Sequence, residues 1–299
     1  MHKKILVLAG SMAGSDRAIR RAASIARRAG AAVELYGVVY DPHLEGYLGH
    51  VEIYAPLRDR LVKERRAALE AAAKELARQG TQASVEALWT YPASEAVARE
   101  SVNSGADLVV MEPQGQGGKL AQDDFRLISM CPLPVLVARG DDAVYASIVA
   151  AVDPSRSRGK PAGLDEAIVA AAKGMSDLFG ARLELLHCYS PVAELAADAA
   201  FDGVLIADVQ GALEADRRED VERLAEQAGL PPGCGVVVRG RPSDVLADRA
   251  ASEGASLIVL GTVSRGPIRR FLLGSTAERV LGAEGGDVLV VKPPGFHPD

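Results

Sequence analysis

Residues 30–39 read GAAVELYGVV, and residues 180–189 read GARLELLHCY. In each, glycine stops an alanine-rich helical pattern, and an apolar, partly alternating run then marks a strand. Outward from this pair, every neighbouring feature also occurs twice and in the same order. Ile5–Ala9 (ILVLA) and Ile148–Val152 (IVAAV) read as first strands, each followed by a polar turn and a helix, Ser15–Ala29 and Leu164–Phe179. Beyond the quoted strands lie helices around Val51–Arg78 and Asp208–Ala228, then strands Val85–Trp89 and Val236–Arg239. Pro92 and Pro242 lead into further helices closed by Gly105 and Gly254. Asp107–Met111 and Ser256–Leu260 are the fourth strands, Val135–Ala138 and Val288–Val291 the last. Apolar strands that alternate with helices predict βαβ units and parallel sheets covered on both faces. Two α/β domains are therefore expected, residues 1–142 and 143–299, with the junction in the charged stretch Arg139–Tyr145.

Composition narrows the function classes. With 48% hydrophobic and 25% charged residues, the 299-residue chain can build packed cores and does not read as disordered. A net charge of -6 argues against nucleic-acid binding through a general basic surface, and 4% aromatics leave little for base stacking. No apolar run is long enough to span a membrane, and the opening MHKKILVLAGS reads as a first strand rather than a signal sequence. Cys131, Cys188 and Cys234 are far apart, with no CxxC spacing. Neither a disulfide framework nor a metal site is expected, which fits a reducing cytoplasm.

In open parallel sheets, ligands collect beyond the carboxyl ends of the strands. Three segments of the second repeat should reach that edge: Asp153-Pro154-Ser155, His187-Cys188-Tyr189, and residues 261–278, GTVSRGPIRRFLLGSTAE. Within the last, Ser275-x-x-Glu278 is a capping-box pattern, so Gly274-Ser275-Thr276 opens a helix. A helix start offers unpaired N–H groups and a positive dipole end to an anion. Arg265, Arg269 and Arg270 precede it, and no acid lies between Gly261 and Ala277. Two readings of these residues stand: a phosphate site, or a capped helix behind a solvated arginine loop.

The same stretch resembles the nucleotide loop of the universal stress proteins, in which glycine, two residues, glycine and nine residues lead to Gly-Ser or Gly-Thr. Gly261, Ser264 and Gly274-Ser275 keep that spacing. The resemblance covers nearly the whole chain as two successive domains and includes CPLPVLVAR at 131–139. It implies tandem flavodoxin-like (adenine nucleotide alpha hydrolase-like) domains, each a five-stranded parallel sheet of order 3-2-1-4-5 flanked by helices. It also implies a regulatory stress-response protein with ATP, and Mg with it, in the second domain. Asp153 would lie near the ribose or a phosphate-bound metal, and the backbone around Cys188 would face adenine. The backbone of Ser264, Ser275 and Thr276 would hold phosphates, and Gly261 and Gly274 would allow the close approach. Pro154, Thr262 and Arg265 complete the implied binding set. One position departs from the pattern. Ser264 replaces the second glycine, and a positive φ there would cost roughly 1–2 kcal/mol. Two alternatives accompany the ATP reading: a slow ATPase, or a member that binds an apolar or acyl ligand or a protein partner. The apolar stretch Leu195–Val209 motivates the second of these. The two copies are expected to pack as an intramolecular pseudo-dimer, and a homodimer is a further expected assembly.

The first repeat reads MEPQGQGGKLAQDDFRLI at 111–128. There Ala121-Gln122-Asp123 stands where the second repeat has Gly274-Ser275-Thr276. Asp123 and Asp124 would cap the helix themselves and repel phosphate. Gly10 is the counterpart of Asp153, and Gly115, Gly117 and Gly118 read as a flexible loop. The first repeat is expected to be a structural half or a partner surface. His187, in an apolar strand, reads as a core histidine, and without a GxSxG elbow no catalytic residue is assigned. His43 and His50 read as surface-loop residues.

Overall fold

A computed structural model of the chain describes residues 2–10, 17–45, 51–140, 144–155, 161–189, 203–251, 256–262, 273–283 and 285–296. Two units emerge, Met1–Val144 and Tyr145–Phe296. The first contains β1 (Lys4–Leu8), α1 (Arg17–Ala29), β2 (Ala32–Val39), the single turn α2 (Pro42–Glu45), α3 (Val51–Arg78) and β3 (Ala83–Trp89). It continues through α4 (Ala93–Asn103), β4 (Leu108–Met111), α5 (Gln122–Met130) and β5 (Val135–Val137). The second contains β6 (Ser147–Ala151), α6 (Leu164–Phe179), β7 (Arg182–Tyr189), α7 (Gly203–Gln227) and β8 (Gly235–Arg239). Then come α8 (Pro242–Ala251), β9 (Leu257–Gly261), α9 (Ser275–Gly282) and β10 (Asp287–Val291).

The glycines of the quoted pair perform the same task. Gly30 and Gly180 follow α1 and α6 with φ of 67° and 66°, a conformation that costs a residue with a Cβ far more than glycine. Each reverses the chain, so that Ala31 N–H reaches the Ala26 carbonyl and Ala181 N–H the Ser176 carbonyl. The strands that follow, β2 and β7, each place a buried glutamate at one register position, Glu34 beside Leu6 and Glu184 beside Val149. Different cations neutralise the two acids: Lys4 at 2.7 Å from Glu34, and Arg182 and Arg249, each at 3.3 Å, from Glu184.

Strand order in the first unit is β3-β2-β1-β4-β5, and in the second β8-β7-β6-β9-β10. The pairs within each unit are parallel, as the βαβ pattern requires. This is the flavodoxin-like order 3-2-1-4-5, twice. The central strands are apolar on both faces because helices cover both: Ile5, Leu6 and Val7, like Leu257, Ile258 and Val259, are fully buried. Among the described residues, no helix is long and apolar enough to cross a membrane.

Register also sets the equivalence of the two repeats. Ile5 faces Leu108 as Ile148 faces Leu257, and Leu8 faces Tyr36 as Ala151 faces Leu186. Ala9 therefore corresponds to Val152, Gly10 to Asp153 and Gly37 to His187. On the other side of the sheet, Val137 faces Met111 as Val290 faces Leu260, so Glu112 corresponds to Gly261.

One residue of the expected junction is core instead. Tyr145 is 1% exposed, its ring meets Phe179 edge-on at 4.8 Å, and its hydroxyl donates to Asp287 at 2.6 Å. Asp287 is fully buried, so losing a donor leaves part of its charge uncompensated. Tyr145→Phe should lower the stability of the second unit by about 1–3 kcal/mol, measured as a shift of the urea midpoint at unchanged slope. An unshifted midpoint would show that other groups carry Asp287.

Candidate ligand site at the strand ends

The carboxyl edge of β6, β7 and β9 gathers the expected residues in the second unit. Asp153 and Pro154 follow β6 directly. The Asp153 N–H donates to Asp165 Oδ1 of α6 at 3.0 Å, and its carboxylate accepts the Ser155 hydroxyl. His187 is 3% exposed and donates through Nδ1 to the Val152 carbonyl at 3.1 Å, as a core histidine should. The same nitrogen lies 3.7 Å from Asp153 Oδ1, whose side chain is about half exposed. Cys188 is the next residue of β7, with Val238 as its register partner. Burial pushes its thiol up to about 11, against the opposing pull of Arg249, so it is protonated at neutral pH.

The edge at β9 divides into one filled and one open position. At Gly261, a Cβ would fall 2.8 Å from the Leu164 side chain. The close approach expected there for a ligand is thus made by a leucine of α6. Thr262 is buried, its N–H donates to the Val291 carbonyl at 3.1 Å, and its hydroxyl accepts from Lys292 Nζ at 3.1 Å. That ammonium also sits 4.9 Å from the centre of the Phe296 ring. Ser264 and Arg265, with Arg269 and Arg270, lie outside the described residues, as does most of Leu195–Val209.

At α9 the helix begins one residue earlier than the capping-box pattern suggests. Gly274 is the cap, with φ -61° and ψ 150°, and Ser275 and Thr276 are the first helical residues. Ser275 is therefore not the capping side chain, and Glu278 falls at the fourth helical position, donating its N–H to the Gly274 carbonyl at 3.0 Å. Among the described residues, no side chain caps this helix, and none has an atom within 4 Å of the position a Cβ would take on Gly274. The amide donors of its first turn thus meet no capping side chain among those residues.

In the first unit the same turn is closed. Helix α5 starts at Gln122 after Ala121, matching the expected alignment of Ala121 with Gly274. Asp124 Oδ2 accepts the Ala121 N–H and the Gln114 N–H, both at 2.8 Å. Asp123 turns elsewhere, accepting from Ser94 at the start of α4 through both N–H (3.0 Å) and hydroxyl. Of the two expected caps, then, Asp124 serves its own helix and Asp123 serves its neighbour. The glycine cluster folds as a tight 3-10 turn, Gln116–Gly118, closed by the Gly115 N–H on the Lys119 carbonyl at 2.8 Å.

Sequence reasoning missed Lys292, Asp165, Arg65 and Glu112. Lys292 had a visible signal, a lone cation directly after an apolar strand. Arg65 had none, since it sits among six other charged residues from Arg58 to Arg66.

Comparison with known proteins identifies the family. A model of the universal stress protein family matches residues 1–139 and again residues 145–292. Universal stress protein E of Escherichia coli strain K12 is 25% identical over 312 aligned positions, which cover 99% of this chain and 96% of that one. A universal stress protein of Thermus aquaticus is 31% identical over 123 residues, 41% of this chain and 86% of its own. Among solved structures, a putative universal stress protein from Pseudomonas aeruginosa UCBPP-PA14 has a TM-score of 0.73 at 24% identity, covering 98% of this chain and 94% of that one.

The closed turn of the first unit carries a pH signature. Burial, with the nearby charge of Asp123 adding to it, raises the Asp124 carboxyl to about 6 despite its two N–H donors. The folded chain then holds that proton more tightly than the unfolded one does. Stability from this group is greatest below the ordinary aspartate value and falls as pH rises from about 4 to 6, by about 2–3 kcal/mol. Asp124→Asn, which keeps an acceptor oxygen, should flatten that slope in urea unfolding curves taken across the interval. An undiminished slope would place the titration on another group.

Proposed function

The chain belongs to the universal stress protein family, and on that premise we propose that its second unit is a nucleotide-responsive regulatory half. An adenine nucleotide would lie across the carboxyl edge of β6, β7 and β9, with its phosphates at the start of α9. The observation that carries this reading is the contrast between the two helix starts. Where the first unit supplies its own carboxylate from Asp124, the second has Gly274 and, among the described residues, no capping side chain and nothing within 4 Å of a Cβ placed there. A phosphate supplies what that end lacks, negative charge and acceptor oxygens. Buried Lys292, hydrogen-bonded to Thr262 at the end of β9, adds a positive charge beside the same edge.

Within this reading, Asp153 is the acid available to a ribose hydroxyl or to Mg accompanying ATP. Backbone around Cys188 lines the base, and Ser275 and Thr276 offer N–H groups to phosphate. Gly261 has a packing role beneath Leu164 rather than a ligand-facing one. The function is binding, not turnover: His187, the histidine nearest Asp153, spends Nδ1 on a backbone carbonyl. The nucleotide would set the state in which this cytoplasmic protein meets its protein partners, with the first unit as structural half or partner surface.

Calorimetric titration with Mg-ATP tests the proposal. Binding is expected in the micromolar to millimolar range, with loss of about tenfold or more in Gly274→Asp. Aspartate is a favoured helix cap, so this variant should fold at least as stably as the parent while placing a carboxylate where the phosphate would sit. Equal affinity in the variant, or no heat from the parent at millimolar nucleotide, would overturn it.

A further inference from the structure

The first unit solves a problem at the end of β1 in a way the second does not. Ala9 and Val152 are equivalent, and their carbonyls lie at the heart of their respective strand edges. In the second unit His187 of β7 donates to the Val152 carbonyl. In the first unit the equivalent of His187 is Gly37, which has no side chain to offer. Arg65 comes instead from α3. It is 6% exposed and donates through Nη2 to the Ala9 carbonyl at 2.7 Å and to the Gly10 carbonyl.

Three further observations describe the space that Arg65 fills. A Cβ on Gly37 would fall 3.0 Å from Arg65 Cγ and Nε and 2.7 Å from Leu69, so the arginine stem crosses the space left by the missing side chain. Gly10, the counterpart of Asp153, leaves room filled by the Glu112 carboxylate, where a Cβ would collide with Oε1. Glu112 is itself buried, and its charge favours the charged form of Arg65, opposing the effect of burial. The His187 and Asp153 arrangement of one repeat is thus replaced by Arg65 and Glu112 in the other.

We infer that the cleft of the first unit is a guanidinium receptor, built from the Ala9 and Gly10 carbonyls and the Glu112 carboxylate, and occupied from within by Arg65. The arginine acts as a tethered ligand, and it closes this cleft to any external guest. The receptor elements directly follow β1 and β4 and do not belong to the arginine's own helix, so they persist when the side chain is removed. The vacated space then accepts a small guanidinium cation, selected by its planar fork of donors over a primary ammonium of the same charge.

The experiment uses the full chain carrying Arg65→Ala. Its thermal midpoint should fall and then recover, saturably, with millimolar ethylguanidinium. Ethylammonium at equal ionic strength should need a concentration about tenfold higher for the same recovery, if it recovers at all. The parent protein should respond to neither, and Arg65→Ala combined with Glu112→Gln should lose the response to ethylguanidinium. If Arg65→Ala is unfolded on its own, recovery of its helical circular dichroism by the same two cations gives the same readout. Absence of recovery, equal recovery by both cations, or a response unaffected by Glu112→Gln would each overturn the assignment.

Discussion

A backbone carbonyl buried at the end of a central strand must find a donor, because leaving it unpaired costs about as much as one or two average stabilising interactions. This requirement acts at Ala9 and at Val152, and around it the two halves of the chain diverge. Where a histidine on the neighbouring strand meets it, no arginine is needed from the helix and an aspartate follows the first strand. Where an arginine meets it from a helix, the arginine's length fills that space and its charge demands a buried acid. Glu112 answers that demand at the position where the second unit has Gly261, so the first strand end affects the fourth.

The ends of the helices after the fourth strands repeat the theme. Asp124 closes one turn with a carboxylate, while the turn after Gly274 has no capping side chain among the described residues. Both differences point the same way: internal charges complete the first unit, and the described residues of the second supply no such carboxylate at its helix start. On the proposed function, a duplicated fold is divided into a self-sufficient copy and a receptive one, with strand order and register unaltered. That division would suit a change of state on binding, since one half can hold its shape while the other responds.

Much of this was legible in the residues. The doubled order of strands and helices, the glycines at 30 and 180, and the alignment of Ala121 with Gly274 all rest on short-range signals such as periodicity, breakers and caps. The open helix start was legible for the same reason, apart from an offset of one residue. Ser275 looked like the cap because serine competes well for that role, but Gly274 adopts the extended backbone the position needs. Long-range substitutions were not legible. Nothing local announces that Arg65 reaches Ala9, 56 residues away, or that Leu164 fills the space at Gly261. Tyr145 was misread from its charged neighbours because its partners, Phe179 and Asp287, are equally remote in sequence.

The tight fit at Gly37 also constrains how the two halves can evolve. A histidine introduced there by one mutation would collide with the stem of Arg65 and with Leu69. Removal of Arg65 by one mutation would take the Arg65 donor from the Ala9 carbonyl and a neighbouring positive charge from Glu112. Each single step toward the other repeat's arrangement passes through a less fit protein, so only paired changes connect them. The asymmetry between the copies behaves as a ratchet: once the glycine and arginine had appeared together, neither could readily be reversed alone.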